Sequence, residues 1–153
     1  GWVYIPYFLA HAMLLGGLDR GRFWLLWVLL TVFAGDIGAF YGGRRWGKNK
    51  LYPQVSPNKT REGAVAGLVA SMLIGLLFAV IFLPEIPTYW AALFGPVVGA
   101  MGQIGDLVES MLKRLSGKKD ASNLLPGHGG FLDRLDSLLF TLPTAWYFHE
   151  WLG

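Results

Sequence analysis

Cysteine is missing from this 153-residue chain. That excludes a disulfide framework, thiol catalysis and Cys-ligated zinc. Charge is scarce as well: Asp, Glu, Lys and Arg make up 15% of the residues, against about 25% in soluble domains. No long repeat, low-complexity tract or linker divides the sequence, so a single membrane-embedded domain over 1–153 is the simplest reading. No basic stretch precedes the apolar start and the first residue is Gly1, which fits a processed or truncated chain better than one led by a signal peptide. What the chain has in abundance is apolar and aromatic surface. It is 54% hydrophobic, with seven Trp and six Tyr, a composition suited to membrane spans and their interfacial belts. The net charge of +3 comes from clustered cations, which favours an anionic partner or cytoplasmic anchoring.

A helix needs about 20 apolar residues to cross a hydrocarbon core roughly 30 Å thick. By that measure the sequence predicts an all-α, polytopic membrane protein of about five transmembrane helices with two basic cytoplasmic loops. Residues 2–15 are apolar but short, a half-span or a span whose start is lost. Residues 23–41 form a full span interrupted at Gly35-Asp36-Ile37-Gly38. Residues 63–83 are the cleanest span and carry no charge. Residues 89–112 turn polar in their second half, and 137–152 form a last span with Trp146, Tyr147 and Trp151 near its end. The loop at 42–62 carries Arg44, Arg45, Lys48, Lys50, Lys59 and Arg61, and the loop at 113–136 is similarly basic. The turns at 16–22 and 84–88 hold two Arg and no cation respectively. The positive-inside rule therefore places both basic loops in the cytoplasm. Small residues at Gly63/Gly67/Ser71 and Gly95/Gly99 permit close helix packing. His11 and His149 are expected to pack at span ends.

The polar groups concentrate at the basic end. Gln103, Asp106, Glu109, Ser110 and Lys113 recur every three or four residues, which puts them on one helix face. Glu109 and Lys113 also read as an ordinary surface pair, whereas Asp106 sits deeper and needs another partner. Asp133 and Asp136 fall at i,i+3 near the start of the last helix, where acids also complement the helix dipole. With Asp106 they make a hard-oxygen set suited to magnesium, which keeps waters and borrows phosphate oxygens. Asp36 is costly inside a span: it either pairs with a cation for structure or faces a ligand or metal from the side of a cleft. The basic residues at 113–119 read either as a positive-inside anchor or as phosphate partners. The glycines of Gly127-His128-Gly129-Gly130 let backbone N–H groups approach an anion. His128 is a phosphate donor or a structural turn residue, and Pro57-Asn58-Lys59 is a turn or a second phosphate contact.

Those residues carry a resemblance. The run Ser110-x-Leu112-Lys113-Arg114-x4-Lys119-Asp120-x-Ser122-x2-Leu125-Pro126-x-His128-Gly129-Gly130-Phe131-x-Asp133-Arg134-Leu135-Asp136 is similar to the signature of the phosphatidate cytidylyltransferases, the CDP-diacylglycerol synthases. Two weaker motifs agree in order: Gly35-Asp36-x-Gly38-Ala39-x-Tyr41-Gly42-Gly43-Arg44, and Ser56-Pro57-Asn58-Lys59-Thr60-x-Glu62-Gly63. The resemblance covers nearly the whole chain, as the C-terminal part of a longer family architecture with further spans ahead of it. It implies that CTP and phosphatidic acid give CDP-diacylglycerol and pyrophosphate, in a magnesium-dependent homodimer in the bacterial inner membrane with its site facing the cytoplasm. A second cation remains an open alternative, and no nucleic acid is expected as a partner. On this resemblance Asp106 and Asp133 hold the metal, with Asp136 or Glu109 in support. Lys113, Arg114, Lys119 and Arg134 neutralise phosphates. His128, Gly129 and Gly130 shape the phosphate turn, with Ser110 and Asp120 beside it, and Asp36, Asn58 and Lys59 contribute from the opposite wall.

Three rival readings remain, of which a purely structural membrane scaffold leaves the long polar signature unexplained. A CTP-dependent lipid kinase would pass the γ-phosphate to a polyprenol-type alcohol, and His128 would be its base. A transporter would spread polar groups along a path through both leaflets, whereas here they gather at one side.

Overall fold

This computed structural model describes residues 4–54, 56–115 and 129–152. Five helices and one small hairpin follow in the order α1 (Tyr4–Gly16), α2 (Gly21–Trp46), β1 (Lys50–Tyr52), β2 (Ser56–Thr60), α3 (Arg61–Phe82), α4 (Thr88–Leu115) and α5 (Gly129–Leu152). The protein is an all-α membrane protein. Among the described residues three helices, α2, α3 and α4, are long and apolar enough to cross a bilayer. The five helices agree with the sequence expectation; α1, with 13 residues or about 20 Å at 1.5 Å per residue, is short, as expected of either a half-span or a span whose start is lost.

Two boundaries differ from the sequence reading for physical reasons. First, α2 runs unbroken through Gly35 and Gly38 to Trp46. The glycines there are seats for a neighbouring helix, not breaks. A side chain on Gly38 would meet Ala70 and the Ala66 carbonyl, and one on Gly35 or Gly42 would strike Ser71 or Ala66. On α3 the matching stripe is Gly63, Gly67, Ser71 and Gly75, all buried at four-residue spacing. Small residues let helix backbones approach where lipid supplies no hydrophobic drive between them. Second, the expected 42–62 loop is largely ordered. It holds the end of α2 and the antiparallel β1–β2 hairpin, in register Lys50 to Thr60 and Tyr52 to Ser56.

The core sits between the helices. Trp27, Val28, Phe94 and Val98 are fully buried, and the Trp27 and Phe94 rings stack at 3.7 Å. Buried polar groups are tied across helices. Trp27 Nε1 donates to the Gly75 carbonyl at 2.7 Å, and Ser71 Oγ donates to the Thr31 carbonyl at 3.0 Å. A Trp27→Phe variant keeps an aromatic side chain but removes that donor and leaves a cavity where the second ring packed. It should lose about 2–4 kcal/mol of stability, read by thermal or denaturant unfolding in detergent.

Two ion pairs mark opposite ends of the helices. At one end Arg20, the residue before α2, adopts a left-handed φ of 87°. From there its guanidinium reaches the Phe82 carbonyl at 3.0 Å and Glu85 at 3.1 Å. His149 packs there too, edge-on to Trp24 at 5.1 Å. At the other end Lys59 of β2 pairs with Asp106 of α4. The hairpin and the C-terminal part of α4 thus share one end, as the charge pattern requires.

Candidate functional site

The site is built where α2 ends, the hairpin folds over and α3 begins. Thr60 closes β2 and caps α3, its hydroxyl accepting from the Gly63 N–H at 3.1 Å. Glu62 in the first turn of α3 accepts from Asn49, at 2.7 Å from Nδ2 and 3.2 Å from the backbone N–H. Arg61 N–H donates to the Asn49 carbonyl at 2.9 Å. These bonds fix the hairpin to the start of a transmembrane helix. Between them lies a cavity of about 380 Å³, within the usual size of small-molecule sites. Arg44, Lys50 and Lys59 supply its positive charge, and Asn58, Thr60 and Gln103 add neutral polar groups. Ala39, Phe40, Gly63 and Ala64 complete an apolar wall. With three cations and no acid among the described residues that line it, the cavity suits an anionic ligand with several charges.

The acid stands next to it. Asp106 is ion-paired with Lys59, one of the lining residues, and the side chains are 40% and 29% exposed respectively. The Asp106 carboxylate is thus open to water and already holds a cation. One turn back, Gln103 donates to the Ala64 carbonyl at 3.1 Å and ties α4 to α3. One turn on, Ser110 Oγ donates to the Asp106 carbonyl at 2.9 Å, so its hydroxyl is engaged within its own helix. Glu109 is half-buried and Arg114 is exposed on the same helix.

The last helix comes to the same end. Trp90 meets Trp151 at 4.8 Å and Phe94 meets Phe148 at 5.0 Å, and Gly102 lies against Thr141. The pairs advance along α4 while they retreat along α5, so the helices are antiparallel. Continued along the two helices, that register sets residues 133–136 level with residues 107–110. No acid lies in the first turn of α5, and dipole effects fade beyond that turn. Helix-dipole compensation therefore explains Asp133 and Asp136 poorly. Gly129 and Gly130 are the first residues of α5, not part of a separate turn.

The other sequence-predicted residues divide in two. Asp36 is brought to a different place. It lies on the exposed side of α2 in a shallow hollow with Phe33, Ile37, Phe40 and Tyr41. Only Phe40 lines both that hollow and the basic cavity. The side chains of Lys113, Asp133, Arg134 and Asp136, and all of Lys119, Asp120 and His128, lie outside the described residues. Conversely, the cavity adds Arg44, Lys50 and Gln103 to the residues expected. Arg44 closes the Gly42-Gly43-Arg44 motif, but Lys50 gave no signal beyond charge because the hairpin that aims it was not foreseen.

A metal fits this arrangement with help. Among the described residues no three His, Asp or Glu side chains gather to hold an ion alone. Magnesium normally takes one or two carboxylates and fills its shell with water and substrate phosphates. Asp106, open to solvent with an ammonium on it, is a carboxylate of that kind.

Comparison with known proteins points the same way. A family model described as the cytidylyltransferase family matches residues 1–152. The phosphatidate cytidylyltransferase of Bacillus subtilis (strain 168) is 38% identical over 146 residues, 95% of this chain and 54% of that protein. The protein of the same name from Staphylococcus saprophyticus is 47% identical over 126 residues, 82% of this chain and 48% of its own length. That of Haemophilus influenzae is 41% identical over 134 residues, covering 85% and 46%. The chain spans about half the length of these curated relatives.

Proposed function

The chain belongs to the cytidylyltransferase family, and from that premise we propose that it carries the catalytic end of a phosphatidate cytidylyltransferase, which makes CDP-diacylglycerol and pyrophosphate from CTP and phosphatidic acid. The observation that carries this reading is the basic cavity with Asp106 held at its edge, at the polar end of apolar helices. A nucleoside triphosphate and a lipid phosphate are both polyanions. A site joining them needs positive charge, a metal-ready carboxylate and contact with the membrane.

The chemistry asks little of a general base. A phosphomonoester has its second pKa near 6 and is mostly ionised at pH 7. One of its oxygens attacks the α-phosphorus of CTP, a new P–O bond forms, and the bond to the β-phosphate bridging oxygen breaks. Pyrophosphate leaves with that electron pair. The barrier lies in bringing two anions together, so charge neutralisation and positioning are the main levers. Arg44, Lys50 and Lys59 bind the triphosphate, and Asn58 and Thr60 orient it from the hairpin. Phe40 borders the hollow that opens on the lipid side of α2. A bound magnesium ion would neutralise phosphate charge, held by Asp106 and, as the resemblance implies, Asp133. Lys113, Arg114, Lys119 and Arg134 add phosphate partners, as does His128, and Gly129 and Gly130 offer backbone N–H groups at the start of α5. Asp120 and Ser110 lie within the same signature, and Asp136 supports Asp133. The basic end faces the cytoplasm of the bacterial inner membrane by the positive-inside rule. A homodimer is the assembly the resemblance implies.

The test is turnover by the purified protein in detergent–lipid micelles with phosphatidic acid, magnesium and CTP labelled in the cytidine. Cytidine label should appear in lipid, with pyrophosphate released, and EDTA should abolish both. Phosphate transferred to lipid with CDP released would replace this reading with a lipid kinase.

A further inference from the structure

We infer that Lys59 is a built-in stand-in for the metal: its ammonium holds the Asp106 carboxylate until a divalent cation displaces it, and then turns to the phosphates of the nucleotide. The inference rests on the proposed function and concerns the order of events at the same site.

Lys59 lines the cavity and also pairs with Asp106. While it does so, one of the three cations of the cavity is spent on a carboxylate. The carboxylate is in turn blocked to any other cation. Both side chains are part-exposed, at 29% and 40%, and ion pairs of that exposure bias an equilibrium by a few-fold, not by orders of magnitude. The pair is therefore exchangeable. A lysine suits exchange, because its ammonium is a compact point charge on a flexible four-carbon stem with no fixed fork geometry. Its backbone does not need to move: β2 is pinned through the Thr60 cap and the Asn49–Glu62 bonds, so only the side chain swings.

The consequence is coupling. A divalent cation that takes Asp106 adds its own charge and also frees an ammonium that already lines the cavity. Metal and nucleotide then raise each other's affinity, and the coupling is reciprocal by linkage. A purely structural strut between β2 and α4 predicts the opposite sign for metal binding, since cutting it would loosen the carboxylate.

The experiment measures Mn2+ binding by electron paramagnetic resonance, without nucleotide, for wild type, Lys59→Met and Lys59→Arg. CTP binding is then measured with the metal present. Lys59→Met should bind Mn2+ about two- to fivefold more tightly, because the competing cation is gone. It should bind CTP about tenfold more weakly or worse, having lost a charged phosphate contact. Lys59→Arg, whose guanidinium can hold the Asp106 carboxylate through two bonds at once, should bind Mn2+ no more tightly than wild type. Unchanged or weaker Mn2+ binding by folded Lys59→Met overturns the inference. Should Lys59→Met not fold, wild type with 13C-methylated lysines reports instead. The Lys59 signal, assigned by its loss in Lys59→Arg, should shift when Mg2+ is added alone; a static signal overturns the exchange. The metal-only arms read the exchange whatever the reaction is. Failure of cytidylyl transfer by wild type would remove the function and leave the exchange result standing.

Discussion

Replacing Asp106 with Asn is expected to cut turnover by about two to three orders of magnitude, the usual cost of losing one charge-stabilising group from an active site. The change keeps the shape of the side chain and removes its charge. Stability should barely respond. The Lys59 pair that is lost is part-exposed, and such pairs contribute about 0.2–1 kcal/mol. The Ser110 bond goes to the Asp106 backbone carbonyl and survives. The variant therefore separates the two roles of the residue. A cytidylyl-transfer assay and an unfolding curve, run on one preparation, should show a large drop in the first and a small change in the second. Substantial turnover per folded molecule would sink the assignment of Asp106 as a metal ligand.

Gly95→Leu should prevent recovery of folded protein from detergent, and even Gly95→Ala should lose about 1–3 kcal/mol, the range for overpacking a tight core. A first side-chain carbon at Gly95 would lie 2.5 Å from the Ser71 carbonyl oxygen and 2.6 Å from the Met72 Cα. Both are backbone atoms of α3, which cannot rotate away. The helices would have to part, and the Gln103–Ala64 and Lys59–Asp106 links depend on their spacing. Residual folded Gly95→Ala protein should therefore also lose activity. Leu93, two residues away and 46% exposed, is the control, since Leu93→Ala should change stability little. Unfolding midpoints of the three proteins decide the matter.

Much of this architecture was legible in the sequence, and the exceptions share a cause. The spans were readable because lipid demands about 20 apolar residues in a row. The acid face of α4 was readable because helical periodicity places 103, 106 and 110 together. Three things were not. The hairpin was hidden because its strands, Lys-Leu-Tyr and Ser-Pro-Asn-Lys-Thr, lack the apolar alternation of a half-buried sheet. Its order comes from the Thr60 cap and the Asn49–Glu62 bonds, which are tertiary. The continuity of α2 was hidden because Gly35, Gly38, Gly42 and Gly43 read as breaks until Ala66, Ala70 and Ser71 are seen packed against them. The direction of Asp36 was hidden too. Its depth in the membrane followed from its position, but the side it faces depends on Gly35 next to it turning inward to α3. Neighbours on a helix point about 100° apart, so a buried Gly35 sends Asp36 outward.

The hairpin also sets where this chain tolerates a change of length. Lys59, Thr60 and Gly63 are consecutive parts of one device: a cavity cation, the residue that ends the strand and starts the helix, and the N–H that the cap receives. Lys59 and Thr60 are adjacent in the chain, with no residue between them. One residue inserted between Lys59 and Thr60 would turn the lysine to the other face of its strand, because strand side chains alternate, and would leave Asp106 without it.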